Sequence, residues 1–169
     1  MTLGLASGTV EVVAYDHTWP SLYATEAARL YQCFVDGGLE ATIEHTGSTA
    51  VPNLSAKPIL DILVGHDARV VPTRHIEVLQ LAGYDHRGQQ GIAGREFFRR
   101  GVPRSHHIHL VAIGGGFWTD HLTFRDRLRG DPSLRDAYAS LKRALAATYP
   151  HDREAYIAGK SDFVRRVLA

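Results

Sequence analysis

The sequence predicts an α+β domain over residues 1–169, with a mixed β-sheet, helices packed on one face and a helical C-terminal region. Three observations lead there. The strand-like and helix-like stretches run β-α-β-β-α-β-β-β-α-α-α, which is not an alternating βαβ series. Pro58 to Val64 is almost wholly apolar, as a central strand covered on both faces should be. After Gly114-Gly115-Gly116 the spacing is helical throughout.

Taking the elements in order, residues 1–8 are small and read as a frayed start. Val10, Val12, Val13 and Tyr15 suggest a short first strand. Asp16-His17-Thr18-Trp19-Pro20 turns into a helix, with Thr18 as the cap and Pro20 in the first turn, where a missing N–H costs nothing. That helix carries Leu22, Ala27, Leu30 and Phe34 to about Val35, and Gly37-Gly38 ends it. Ala41 to Thr46 is a strand, Gly47 to Leu54 a turn, Pro58 to Val64 the central strand, and Pro72 to Leu81 a helix closed by Gly83. Tyr84 to Arg87 is an edge strand. A glycine-bearing loop, Gly88 to Gly94, precedes strands at Phe97 to Arg100 and Ile108 to Ile113.

A helix with Trp118, Leu122 and Leu128 stops at Gly130. Asp131-Pro132 starts the next, whose Leu134, Tyr138, Leu141 and Leu145 share one face. Asp152 caps a last helix with a stripe of Tyr156, Lys160, Phe163 and Val167.

Composition is that of a globular protein, 44% hydrophobic and 22% charged. A net charge of +1 gives no general pull toward nucleic acid or anionic membrane, so anion binding must be local. The single cysteine, Cys33, excludes an intrachain disulfide and reads as a structural thiol. The start lacks the basic region and long apolar run of a signal peptide, and no run is long enough to span a membrane. The expected location is the cytoplasm.

Chemistry concentrates in two places. Gly47-Ser48 follows a strand and opens a turn, so backbone N–H groups and the Ser48 hydroxyl can meet a phosphate oxygen; it can equally be a tight turn that needs a glycine. Asp61 stands inside an apolar strand, where a carboxylate requires a partner. It is either a ligand for Mg²⁺ or Mn²⁺ or a salt-bridge partner of Lys57, which period-2 alternation puts on the same face. Further on, His107 and His109 share a face of a strand in His106-His107-Ile108-His109, a metal-ligand spacing that also suits phosphate. Arg95, Arg99, Arg100 and Arg104 can grip phosphates or lie solvated. Lys142 and Lys160 interrupt apolar stripes and either snorkel or reach a site over the sheet.

The segment from His45 to Asp61 resembles the GrpB family, whose hallmark is His-x-Gly-Ser-Thr-Ala-Val-Pro-Gly-Leu followed by Lys-Pro-Ile-x-Asp. Asp16-His17-Thr18-Trp19-Pro20, His107-Ile108-His109-Leu110, Phe124 to Arg129, Tyr138 with Lys142, and Tyr156 with Lys160 and Phe163 follow in family order. A related domain is fused to dephospho-CoA kinase in some bacteria. GrpB proteins look like nucleotidyltransferase-superfamily members, which pair a Gly-Ser turn with an Asp-x-Asp strand. The resemblance implies a nucleotidyltransferase-like fold that takes a nucleoside triphosphate and a divalent metal, Mg or Mn. It implies phosphate contacts from Gly47 and Ser48 and a metal on Asp61. The residues themselves add Thr49, Lys57 and Arg99 as expected phosphate contacts, His107 and His109 as expected metal ligands beside Asp61, and Asp61 with Lys57 as the expected catalytic residues. Two positions depart from the pattern. Leu63 falls where the second acid belongs, and Asn53 replaces a glycine at a position where Asn tolerates a left-handed turn.

Three readings follow. One is an enzyme transferring a nucleotidyl or phosphoryl group to a small acceptor. The second is a non-catalytic module for a nucleotide, CoA-type or other phosphorylated ligand. The third is a structural protein in which Asp61 pairs with Lys57.

Overall fold

Alternate residues of a strand point to opposite sides of a sheet, and here the two sides have opposite characters. In the computed structural model, which describes residues 3–169, five strands form one sheet: β1 (Thr42–Thr46), β2 (Leu60–His66), β3 (Asp85–His86), β4 (Glu96–Arg100) and β5 (His106–Ala112). Their order is β1-β2-β5-β4-β3, with β2 and β5 parallel and the other pairs antiparallel.

Ile62, Val64, Phe98, Ile108 and Leu110 point to one side. There they pack on Leu30 and Phe34 of α1 (Trp19–Asp36) and Leu79 of α2 (Thr73–Leu81). Asp61, Leu63, Phe97, His107, His109 and Val111 alternate to the other side. That side is only partly covered: Trp118 of α3 (Gly116–Gly130) packs on Leu63 and Val111. Gly65 makes room for it, since a Cβ there would meet the Trp118 ring at 2.6 Å.

Three more helices, α4 (Pro132–Thr148), α5 (Arg153–Ala158) and α6 (Ser161–Leu168), finish the chain. Leu128, Tyr138, Ala139, Phe163 and Val167 from α3, α4 and α6 pack on Val51 and Leu54. The loop after the Gly-Ser turn is therefore the seam between sheet and helical region. Asp131 and Asp152 cap as expected, accepting from the N–H groups of Leu134 and Ala155.

Five expectations change. Residues 10–15 form no strand; they contribute one bridge, Val13 to Ala56. The start is not frayed among its described residues, because Leu5 is buried and bridges Arg104 (residues 1–2 lie outside the described residues). Thr18 does not cap α1: the Asp16 carboxylate accepts from the Thr18 N–H and hydroxyl instead. The last helix is two, broken at Gly159-Lys160, where Gly159 presses on Leu145 so closely that a Cβ would lie 2.4 Å from it. Cys33 is only half-buried.

Candidate functional site

The open side of the sheet forms the floor of a cavity of about 720 Å³, walled by the Gly47–Thr49 turn, α3, α4 and the α5–α6 break. Asp61 sits at its centre because β1 and β2 pair Thr46 with Asp61, which brings the following turn over the carboxylate. Gly47 adopts φ +69°, and a Cβ there would lie 2.6 Å from Asp61 Oδ2. Glycine is required twice over, by backbone conformation and by the carboxylate beneath it.

The parallel pairing of β2 and β5 sets Asp61 beside His107 and Leu63 beside His109. His107 Nδ1 lies 3.0 Å from Asp61 Oδ1, and His109 Nε2 lies 3.9 Å from the same oxygen. Burial acts to raise the Asp61 pKa, but the hydrogen bond from His107 and the nearness of His109 hold it well below the usual carboxylate range. Burial pushes His107 down against the upward pull of Asp61. A neutral His107 that donates from Nδ1 leaves a lone pair on Nε2.

The turn faces α4. Lys142, only 2% exposed, donates to Ser48 Oγ at 2.8 Å and to the Ser55 carbonyl. Burial, followed by the charges of Lys160, Lys57 and Arg143, draws its pKa well below the normal lysine value. Lys160 is lowered to about 8, by burial first and Lys57 next. Lys57 is lowered by burial, partly offset by Asp61. The ammonium groups rest on aromatic rings: Lys57 and Lys160 at 5.3 and 4.5 Å from the Tyr156 ring centre, Lys142 at 4.7 Å from that of Tyr138. Two arginines of α3 hold the turn in place, Arg125 donating to the His45 carbonyl and Arg129 to that of Ala50.

The structure thus gathers Gly47, Ser48, Thr49, Lys57, Asp61, His107 and His109 around one cavity. Thr49 lines it with its hydroxyl already engaged by His45 Nε2 at 3.1 Å. Lys57 lies before β2 rather than in it, and the ion pairs that Asp61 makes within 4 Å, among the described residues, are to His107 and His109. Arg99 is opposite His107 in register but does not line the cavity; Arg95 and Arg153 do. Arg100 belongs to the other side of the sheet, 2.7 Å from Glu26. Lys142 and Lys160 reach over the sheet, the less common fate of a lysine in an apolar stripe. Four side-chain atoms of lining residues are buried without a protein partner: Thr46 Oγ1, Arg95 Nε, His107 Nε2 and His109 Nδ1.

A hard divalent cation favours several oxygen ligands, and the donors present do not fit one. The place of a second acid is Leu63, fully buried against Val111 and Trp118, so hydrocarbon fills it. Asp61 Oδ1 is already hydrogen-bonded. Among the described residues no group of three His, Cys, Asp or Glu side chains is arranged to hold a metal ion. Of the three expected ligands, Asp61 and His107 are hydrogen-bonded to each other and His109 lies 3.9 Å from Asp61.

A family model described as "GrpB protein" matches residues 9–169. The chain belongs to the GrpB family. It is 35% identical over 172 residues to glutamate-rich protein GrpB of Alkalihalophilus pseudofirmus, covering 98% of each chain. It is 37% identical to protein YqkA of Bacillus subtilis, where the match takes in 92% of this chain but only 45% of the relative's length. The crystal structure of GrpB from Enterococcus faecalis superposes with a TM-score of 0.80 at 32% identity, covering 94% of both. A structure of the Cid1 poly(U) polymerase with MgGTP bound superposes with a TM-score of 0.58 at 15% identity, over 80% of this chain and 44% of that one. The fold is therefore nucleotidyltransferase-like. No helix among the described residues is long and apolar enough to cross a membrane.

Proposed function

We propose that this GrpB protein binds a nucleoside triphosphate or related phosphorylated small molecule in the cavity over Asp61. It then transfers a nucleotidyl or phosphoryl group to a small acceptor. The observation that carries the reading is the convergence of Ser48 with Lys142, Lys57 and Lys160 around Asp61. A hydroxyl and several ammonium groups lining one cavity suit phosphate oxygens, which are strong acceptors carrying negative charge. The likeness to a polymerase fold solved with MgGTP supports a nucleotide as the ligand. In a transfer, Asp61 would serve as a fixed charge that orients His107 rather than as a base, since a carboxylate ionised so readily accepts a proton poorly.

Leu63 favours a second reading, a binding module that holds the same ligand without chemistry, because the second acid of the superfamily's strand is replaced by core. The test is a thermal-shift screen of nucleoside triphosphates, CoA-type compounds and sugar phosphates, followed by product analysis across small-molecule acceptors. The transfer reading expects stabilisation by one ligand class and a product that disappears in Ser48→Ala. Stabilisation without any product supports the module. No stabilisation by any phosphorylated compound sinks both.

A further inference from the structure

The cavity is out of charge balance. Lys57, Lys142, Lys160, Arg95 and Arg153 line it without an ion pair within 4 Å among the described residues, while Arg125 is already paired with Glu44 and Asp126. Against these five cations stand two lining carboxylates, Asp61 and Asp120. Cationic side chains thus outnumber carboxylates along the lining of the cavity.

Buried ammonium groups need a counter-charge or strong acceptors. Lys142 has a serine hydroxyl and one carbonyl. Lys57 and Lys160 share the Tyr156 ring. An ammonium resting on a ring is generally held less strongly than one in a charge-assisted hydrogen bond to an anion. The lysines are therefore parked on contacts that a phosphate would replace. They come from three separate segments: the approach to β2, the middle of α4 and the α5–α6 break. The site is thus assembled by the packing of the helical region onto the sheet.

We propose that the cavity takes its polyphosphate ligand as the metal-free anion, with Lys57, Lys142, Lys160 and Arg153 neutralising the charge that divalent ions otherwise cover. The proposal rests on the reading above that a phosphorylated ligand binds here. A free triphosphate carries more negative charge than its magnesium complex, so it makes fuller use of the unpaired cations that line the cavity. The single carboxylate at the centre, already bonded to His107, and the sealed Leu63 position are the reasons that metal held by the protein is not part of the site.

The test is calorimetric titration of the full chain with inorganic tripolyphosphate and with ATP, GTP and UTP. Each titration is run once in EDTA and once with excess MgCl₂ or MnCl₂. We expect one-to-one binding in EDTA that magnesium weakens about tenfold or more. Lys142→Met should weaken it further, and Lys160→Gln, at a partly exposed position, by about tenfold in EDTA. If Lys142→Met does not fold, Lys160→Gln carries the test. Binding that requires Mg²⁺ or Mn²⁺ and survives Lys160→Gln overturns the proposal while leaving the phosphate site standing. No binding of any probe in either condition overturns the phosphate site and the proposal together.

Discussion

Two carboxylates are drawn into this fold, one on each side of the sheet, and they are treated differently. Glu26 of α1 is 6% exposed and receives Arg29 at 2.6 Å, Arg100 at 2.7 Å and the Tyr84 hydroxyl at 2.9 Å. Its neighbours exist to satisfy it, and the network closes. Asp61 keeps 31% of its side chain open, has His107 as its one close partner, and lines a cavity with lysines that make no ion pair within 4 Å among the described residues. The unpartnered Thr46, His107 and His109 atoms surround it. A closed network spends its polar groups on the fold. An open one leaves them able to meet a ligand, as the function proposed above requires.

The largest expected effect breaks both sides at once. Burial holds His45, His106 and His121 near pKa 4 instead of 6.5. Between those values the unfolded chain binds protons that the fold refuses. Stability is therefore full above about pH 6.5 and is lost as pH falls toward 4, by up to about 1.4 kcal/mol per pH unit for each histidine. Urea titrations across that window measure the slope. Next, Glu26→Ala leaves Arg29, Arg100 and Tyr84 without their acceptor and should cost about 3 kcal/mol in chemical denaturation, with ligand affinity unchanged. Gly47→Ala is strained by its left-handed φ and by the Asp61 oxygen. It should cost about 2 kcal/mol and also weaken ligand binding, so a variant that loses stability alone would separate the turn from the site.

Smaller effects sharpen the contrast. Asp61→Asn keeps an acceptor for His107 but removes a negative charge facing the lysines. Affinity for tripolyphosphate should rise several-fold, and a collapse of binding would make Asp61 a ligand contact or metal ligand after all. The smallest effect concerns Lys160. Its pKa of about 8, against an ordinary 10.5, means that the free protein gains stability as pH rises through that window, while affinity for an anion falls over the same range. Opposite slopes in one pH window, read by calorimetry, identify a lysine that works for the ligand at the expense of the fold.

The sheet, the apolar central strand, the Gly47-Ser48 turn and the acid within β2 were legible because each depends on local pattern. Asp131 and Asp152 could be read as caps for the same reason. That Asp61 shares a site with His107 and His109 was expected, but their direct contact was not, because it depends on a parallel register set by everything packed between residues 66 and 106. Lys142 and Lys160 appeared as interruptions in helical stripes. Which way they point is decided by the docking of α4, α5 and α6 on Val51 and Leu54, and the contact of Lys142 with Ser48 spans 94 residues. The false first strand arose because valines at 10, 12 and 13 suit a strand, yet among the described residues they form a single β-bridge, Val13 with Ala56, while the Val10 N–H bonds the Pro150 carbonyl. Leu63 looked like a missing ligand and is better understood as core gained beneath Trp118.

The central claim is that the Asp61 side of the sheet is a phosphate-ligand site while the Glu26 side is not. The most direct measurement is titration of nucleoside triphosphates and tripolyphosphate into wild type, Ser48→Ala, Lys160→Gln and Phe98→Leu, with denaturation curves for each. The claim predicts saturable binding to wild type. It also predicts at least tenfold weaker binding in Ser48→Ala and Lys160→Gln, with near-normal stability in Lys160→Gln, and unchanged binding with reduced stability in Phe98→Leu. Equal binding by all four proteins, or none by wild type, would contradict it.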